Sequence, residues 1–125
     1  MKLLLDSHAV YWWLKGSARL SETARGLILD RANAVLVSAV SVYEIELKAA
    51  RQRVNLPPQE LRAALRRNAV EELPVTHGHA EYAALLDWDH RDPWDRLLAA
   101  QALLENCDLV SVDKVFDAIA VSRRW

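Results

Sequence analysis

Two acidic residues directly follow short apolar runs of this sequence. Asp6 comes after Leu3–Leu5, and Asp113 comes after Leu109–Val112. Short continuous apolar runs are typical of strands that are buried on both faces of a parallel sheet. Because ligand sites in such sheets form at the carboxyl ends of the strands, we expect both carboxylates to lie at one edge of the sheet.

Two further carboxylates are expected near the same edge. Glu44 lies about two helical turns beyond the predicted strand Val35–Val37, and Asp95 lies in the first turn of a helix predicted to begin at Asp92. Hard divalent cations such as Mg²⁺ or Mn²⁺ prefer oxygen ligands. Acidic side chains from four separate segments can therefore form one cation site, with these members: Asp6, Glu44, Asp95 and Asp113.

Each of these carboxylates also has a structural interpretation. An aspartate after a strand, such as Asp6, often caps the next helix, and Asp92 precedes a proline, which is favoured at the first helical position. Glu44 has Lys48 four residues later, the favourable order for an ion pair on a helix surface. Helical periodicity does not distinguish Glu44 from Glu46. The spacing alone leaves both interpretations open.

The segments between these carboxylates alternate between strand and helix patterns. Such alternation indicates an α/β domain with a mainly parallel sheet. Four strands are predicted, at Leu3–Leu5, Val35–Val37, Val70–Val75 and Leu109–Val112. Helices are predicted near 9–13, 22–32, 39–51, 60–68, 76–86 and 92–104.

The composition is that of an ordinary globular protein. The 125 residues, 52% hydrophobic and 26% charged, predict a single domain over 1–125. The single cysteine, Cys107, excludes an internal disulfide and is expected to be buried in a reducing compartment. The nearly apolar stretch Ala34–Tyr43 is far shorter than the ~20 residues of a membrane helix. We therefore expect a cytoplasmic protein without a membrane partner.

The net charge of −1 conceals an uneven distribution. Residues 48–67 contain six basic side chains and one acidic side chain, whereas 71–117 contain eleven acidic and three basic ones. Two solvated helix faces would explain this pattern. A basic rim for phosphates beside an acidic pocket for cations would explain it as well.

Four segments of the sequence resemble the successive motifs of PIN-domain proteins. They are LLLDSHAVYWW, VSAVSVYEIELK, HRDPWDRLLAAQA and LVSVDKVFD, and together they extend over essentially the whole chain. The third is similar to the H-x-D-P-F-D-R segment of a subgroup of VapC-like toxins. Trp94 stands where phenylalanine is usual, a change expected to affect packing only.

The resemblance implies a fold, an activity and partners. The fold would be a three-layer α/β/α domain with a central mainly parallel sheet. The activity would be metal-dependent hydrolysis of RNA, with the family's acidic quartet at Asp6, Glu44, Asp95 and Asp113. The protein would form a homodimer and bind a small antitoxin that blocks the acidic pocket. A PIN-type RNA-processing nuclease without an antitoxin, or a non-catalytic metal- or protein-binding module, remains an alternative.

Several other polar residues near these motifs have less specific patterns. His77 and His79 lack a second pair of zinc ligands and are expected at a polar helix entrance, and His90 could touch substrate. Asp92 and Asp117 are expected to cap helices or to support the ligands. Arg96 and Lys48 are possible phosphate contacts, and three serines could hydrogen-bond to the carboxylates: Ser7, Ser41 and Ser111.

Overall fold

The computed structural model describes all 125 residues and contains one parallel sheet. Its strands are β1 (Lys2–Leu5), β2 (Ala34–Ser38), β3 (Glu71–Leu73), β4 (Asp108–Val110) and β5 (Arg123–Arg124). Across the sheet the order is β3-β2-β1-β4-β5, and every neighbouring pair is parallel. The predicted α/β class is confirmed. The first strand lies at the centre of the sheet.

Six α-helices connect or flank these strands. They are α1 (Ser7–Leu14), α2 (Glu22–Leu29), α3 (Ala39–Ala50), α4 (Glu60–Arg67), α5 (His77–Leu85) and α6 (Pro93–Leu104). Most begin at a side-chain cap that the sequence indicates: Ser21 accepts from the backbone of α2, and Thr76 accepts from that of α5. The longest helices, α3 and α6, have 12 residues each, too few to span a membrane.

Helices cover both faces of the sheet. Leu3 and Leu5 belong to one buried cluster, whereas Leu4 belongs to the other, as the alternating side-chain directions of a strand require. The first cluster includes residues of α1, α2 and α4, and the second includes residues of α6. This arrangement confirms the expected three-layer α/β/α architecture. Burial on both faces explains the continuous apolar sequence of β1.

The end of the chain differs from the prediction. β4 ends at Val110, so that Asp113 follows it after two intervening residues, and a short 3₁₀ helix occupies Lys114–Ala118. The final strand, β5, has no apolar pattern, and it pairs with Leu109 and Val110. An ion pair between β5 and β4 takes the place of hydrophobic contacts: Arg124 Nε lies 2.8 Å from Asp108 Oδ2.

The start of α4 at Glu60 agrees with the prediction, but its backbone is unusual. The two prolines that precede Gln59 lie outside the helix. Gln59 caps the helix in a left-handed conformation with φ of 68° and makes no side-chain cap bond. This backbone conformation is costly for a residue other than glycine, and it turns the chain sharply into α4.

Candidate active site

Asp6 lies at the carboxyl end of the central strand and is almost fully buried, with 8% of its surface exposed. Its Oδ1 accepts a hydrogen bond from Ala9 N at 2.8 Å, so that it caps α1 as expected. Burial raises the pKa of Asp6 above its ordinary value, although hydrogen bonds from Ser111 and Ala9 oppose the shift. Capping by itself does not require a charged residue. The capping role therefore does not explain why a carboxylate lies where its surroundings disfavour the charged form.

Asp113 lies beside Asp6 because the two strands that precede them are neighbours. Its Oδ1 accepts a hydrogen bond from Val115 N at 3.0 Å and caps the 3₁₀ helix. Its own backbone N–H donates to Ser111 Oγ at 3.1 Å, and the buried Ser111 side chain also lowers the pKa of Asp6. One buried side chain therefore acts on both aspartates. The predicted supporting role of Ser111 has a geometric basis.

Glu44 lies on α3 and is partly buried. Burial raises its pKa to about 7; the nearby Lys48 lowers it, and the charges of Asp95, Asp92 and Asp6 raise it further. Glu46, in contrast, lines a groove between α3 and α4. The structure thus distinguishes the two glutamates that helical periodicity could not separate, and Glu44 is the one that faces the other acids.

Asp95 lies in the first turn of α6, where its Oδ2 is 2.8 Å from His90 Nε2. Burial raises the pKa of Asp95, the hydrogen bond with His90 lowers it, and the charges of Asp92 and Asp113 raise it. Asp95 in turn raises the pKa of both Asp6 and Glu44. Asp95 is therefore close enough to Asp6, Glu44 and Asp113 for their charges to interact.

Asp92 caps α6, as the following proline predicted. Its Oδ1 accepts hydrogen bonds from Trp94 N at 2.9 Å and from Asp95 N at 3.2 Å. One potential ligand atom from each of His90, Asp92 and Asp95 lies within 4.8 Å of the others. Asp92 therefore combines a structural contact with a position beside the acidic group.

Arg96 is not available as the phosphate contact that the sequence suggested. Its guanidinium donates hydrogen bonds to four backbone carbonyls, at 2.7 to 3.0 Å. These carbonyls belong to Ala83, Leu86, Trp88 and His90. Because its donors are occupied in this way, Arg96 is an anchor of the loop between α5 and α6 and not a phosphate contact. The loop that it anchors contains the histidine bound to Asp95.

Three other expectations are resolved by the contacts. His79 lies at the start of α5, as expected, where it is buried and completes a capping box with Thr76, and its Nε2 lies 2.9 Å from Glu105 Oε1. Ser41 Oγ donates to the carbonyl of Leu5 at 3.4 Å rather than to a carboxylate.

Asp117 pairs with Arg123 at the protein surface, which replaces the expected capping or ligand-supporting role.

The raised pKa of Glu44 predicts a pH-dependent stability of the metal-free protein. The folded state holds this proton more tightly than the unfolded state, so the free energy of unfolding should fall as the pH rises from 4.5 to about 7 and then stay level. The fall is expected to be on the order of 1 kcal/mol, since a partly exposed carboxylate is screened by solvent. Urea unfolding in EDTA at several pH values measures it.

Glu44→Gln should remove this part of the pH dependence, because glutamine does not titrate. Glu46→Gln is the matched control, with an exposed side chain on the same helix. An equal fall for the parent and Glu44→Gln would contradict the assignment of the shift to Glu44.

Comparison with known proteins gives a consistent result for the whole chain. Residues 3–122 match the family model of the PIN domain. The chain is 34% identical to Ribonuclease VapC22 of Mycobacterium tuberculosis over 115 residues, which cover 90% of this chain and 87% of that protein.

Solved structures share the fold at low sequence identity. VapBC2 from Rickettsia felis, bound to a DNA fragment from its promoter, has a TM-score of 0.72 at 14% identity, with 99% of this chain and 98% of that chain covered. Mycobacterium tuberculosis VapC20, a sarcin-ricin loop cleaving toxin, has a TM-score of 0.67 at 19% identity, with 95% of each chain covered. On the sequence match and the shared fold, the chain belongs to the PIN-domain family and is a VapC-like member of it.

Proposed function

We propose that this protein is a metal-dependent endoribonuclease in which Asp6, Glu44, Asp95 and Asp113 hold Mg²⁺ or Mn²⁺. The observation that supports this most strongly is the convergence of acidic side chains from four separate segments at the carboxyl edge of the sheet. The similarity to a protein named as a ribonuclease supports RNA as the substrate. The whole chain would act as one PIN domain.

The proposed ligands fit a hard divalent cation. All four offer carboxylate oxygens, the donor type that Mg²⁺ and Mn²⁺ prefer. Their burial and mutual repulsion raise the pKa values of Asp6, Glu44 and Asp95, which means that their charged forms lack sufficient compensation within the protein. A bound divalent cation would compensate them.

Glu44 argues against a purely structural role for the acidic group. Asp6, Asp92 and Asp113 each cap a helix, and this alone would suit a non-catalytic binding module. Glu44 caps nothing and faces other acids in mid-helix, where its charge costs stability. Functional sites are where such destabilising arrangements are expected.

Phosphodiester hydrolysis in this site needs no covalent intermediate with a side chain. A bound Mg²⁺ or Mn²⁺ would lower the pKa of water and neutralise the charge that develops on the scissile phosphate. His90 would hold the Asp95 carboxylate in one orientation, and Ser111 would do the same for Asp6. The carboxylates would orient the attacking water in line with the leaving oxygen.

We also propose that the protein acts as the toxin of a toxin–antitoxin pair, as a homodimer with a small antitoxin partner. The sequence similarity to a VapC ribonuclease and the fold shared with VapBC complexes support this assignment. The alternative is a PIN-type RNA-processing nuclease without an antitoxin. A short adjacent gene whose product binds and inhibits this protein would distinguish the first from the second.

The proposed activity is tested by cleavage of an RNA strand and a DNA strand of the same sequence in Mg²⁺ or Mn²⁺. The parent protein should cleave the RNA internally. Asp6→Asn, which keeps the Ala9 cap acceptor but removes the charge, should lose most cleavage and retain the fold by circular dichroism. RNA cleavage at the parental rate by Asp6→Asn would rule out the proposed site.

A further inference from the structure

Three large hydrophobic side chains are exposed immediately before proposed ligands in the sequence. We call this group the apolar rim. Its members are Tyr43, Trp94 and Val112, which are 52%, 38% and 41% exposed and precede Glu44, Asp95 and Asp113. Exposed aromatic side chains that lie next to proposed metal ligands require an explanation, because burial in the core would be more favourable for them than exposure to water.

Two members of the rim contact each other. The ring centroids of Tyr43 and Trp94 are 5.2 Å apart, with 36° between the ring planes. Tyr43 belongs to α3 and Trp94 to α6, the two helices that provide Glu44 and Asp95. The aromatic pair therefore joins these two helices at the border of the acidic group. Trp94 was expected to change packing only, but the structure leaves it partly exposed.

The chemistry of this border suits one class of ligand. An unpaired nucleotide combines an anionic phosphate, which a cation among the carboxylates would attract, with a flat base that stacks on aromatic rings. Inside a duplex both faces of a base are already covered by its neighbours. The combination of an acidic cation site with exposed aromatic rings therefore favours single-stranded RNA over double-stranded RNA.

We propose that Tyr43 and Trp94 form a stacking surface for the base of an unpaired nucleotide adjacent to the scissile phosphate. This inference rests on the proposed ribonuclease function. The surface would position the strand at the carboxylates and would make cleavage depend on unpaired structure at that nucleotide. Stacking tolerates all four bases, so the surface would select an unpaired conformation more than a base identity.

The first test compares steady-state cleavage of a short single-stranded RNA by Tyr43→Ala, Trp94→Ala and the parent. Each alanine variant should raise KM by about 5- to 150-fold, the equivalent of ~1–3 kcal/mol of stacking. Tyr43→Phe and Trp94→Phe keep an aromatic ring and should stay near the parental KM. Tyr82→Ala is the control, since Tyr82 is 41% exposed on α5 and does not adjoin a proposed ligand.

The second test removes the base instead of the ring. RNAs with a single abasic site at successive positions should identify one nucleotide beside the cleaved bond whose loss raises the parental KM by a similar factor. With the RNA that lacks the base at that position, Trp94→Ala should raise KM little further, because the stacking interaction is already absent. If the abasic site and Trp94→Ala raise KM by factors that multiply, the stacking surface is wrong. Unchanged KM values for both alanine variants would also overturn it. Either result would leave the ribonuclease function intact.

A protein interface at the same rings would give a different result. The alanine variants would then convert a dimer into a monomer in light scattering and would weaken cleavage of intact and abasic RNA equally, which would also overturn the proposal. A parent protein that cleaves no RNA would overturn the ribonuclease function itself, and the stacking surface with it.

Discussion

Asp95→Asn is expected to lower the rate of RNA cleavage by more than about 100-fold, because loss of groups that merely support a ligand already costs 10- to 100-fold. The same change should leave the metal-free protein as stable as the parent or more stable. Burial and the charges of Asp92 and Asp113 raise the pKa of Asp95, so its charged form is disfavoured, and asparagine removes that charge. Thermal melts in EDTA, paired with initial rates in Mn²⁺, measure both effects.

Asp92→Ala is the matched control, three residues earlier in the same turn. It removes the cap of α6 and should cost on the order of 1 kcal/mol of stability, while substantial cleavage remains. If Asp92→Ala is instead stable and inactive, the ligand role belongs to Asp92. If Asp95→Asn melts lower and cuts at the parental rate, the assignment of Asp95 as a ligand is wrong.

Arg96→Met is expected to destabilise the protein by about 2–4 kcal/mol, because it removes charged hydrogen bonds to four carbonyls at once. Methionine retains much of the apolar side-chain length but has no N–H donor. Cleavage should also fall by about 10- to 100-fold, since the loop with His90 would no longer hold Asp95 in place. Urea unfolding and single-turnover rates measure the two losses.

Arg91→Met is the control for Arg96→Met, because Arg91 is exposed in the same loop. It should change stability by less than about 0.5 kcal/mol. Equal stabilities of the two variants would contradict the anchoring role of Arg96.

The positions of the acidic residues could be predicted because backbone direction determines them. A continuous apolar run such as Leu3–Leu5 indicates a buried parallel strand, and the residue that follows it must lie at the carboxyl edge. This rule was sufficient to predict the position of Asp6. Asp92 was equally predictable as a cap from the proline that follows it.

The remaining features depend on tertiary contacts that leave no local pattern. Glu44 and Glu46 have equivalent helical surroundings in the sequence, and only the packing of α3 against α6 and α4 separates them. Arg96 binds carbonyl groups, which every residue has, so its partners could not be identified from residue types. β5 consists of two arginines, and its pairing is supported by ion pairs rather than by an apolar alternation.

The proposed metal-dependent ribonuclease site is tested most directly by the initial rate of RNA cleavage as Mn²⁺ is returned stepwise to EDTA-treated protein. We expect no cleavage before Mn²⁺ is added, a saturable return of activity in the parent, and almost none in Asp95→Asn at the same concentrations. Cleavage by the metal-free parent, or an identical Mn²⁺ response in Asp95→Asn, would contradict the proposed site.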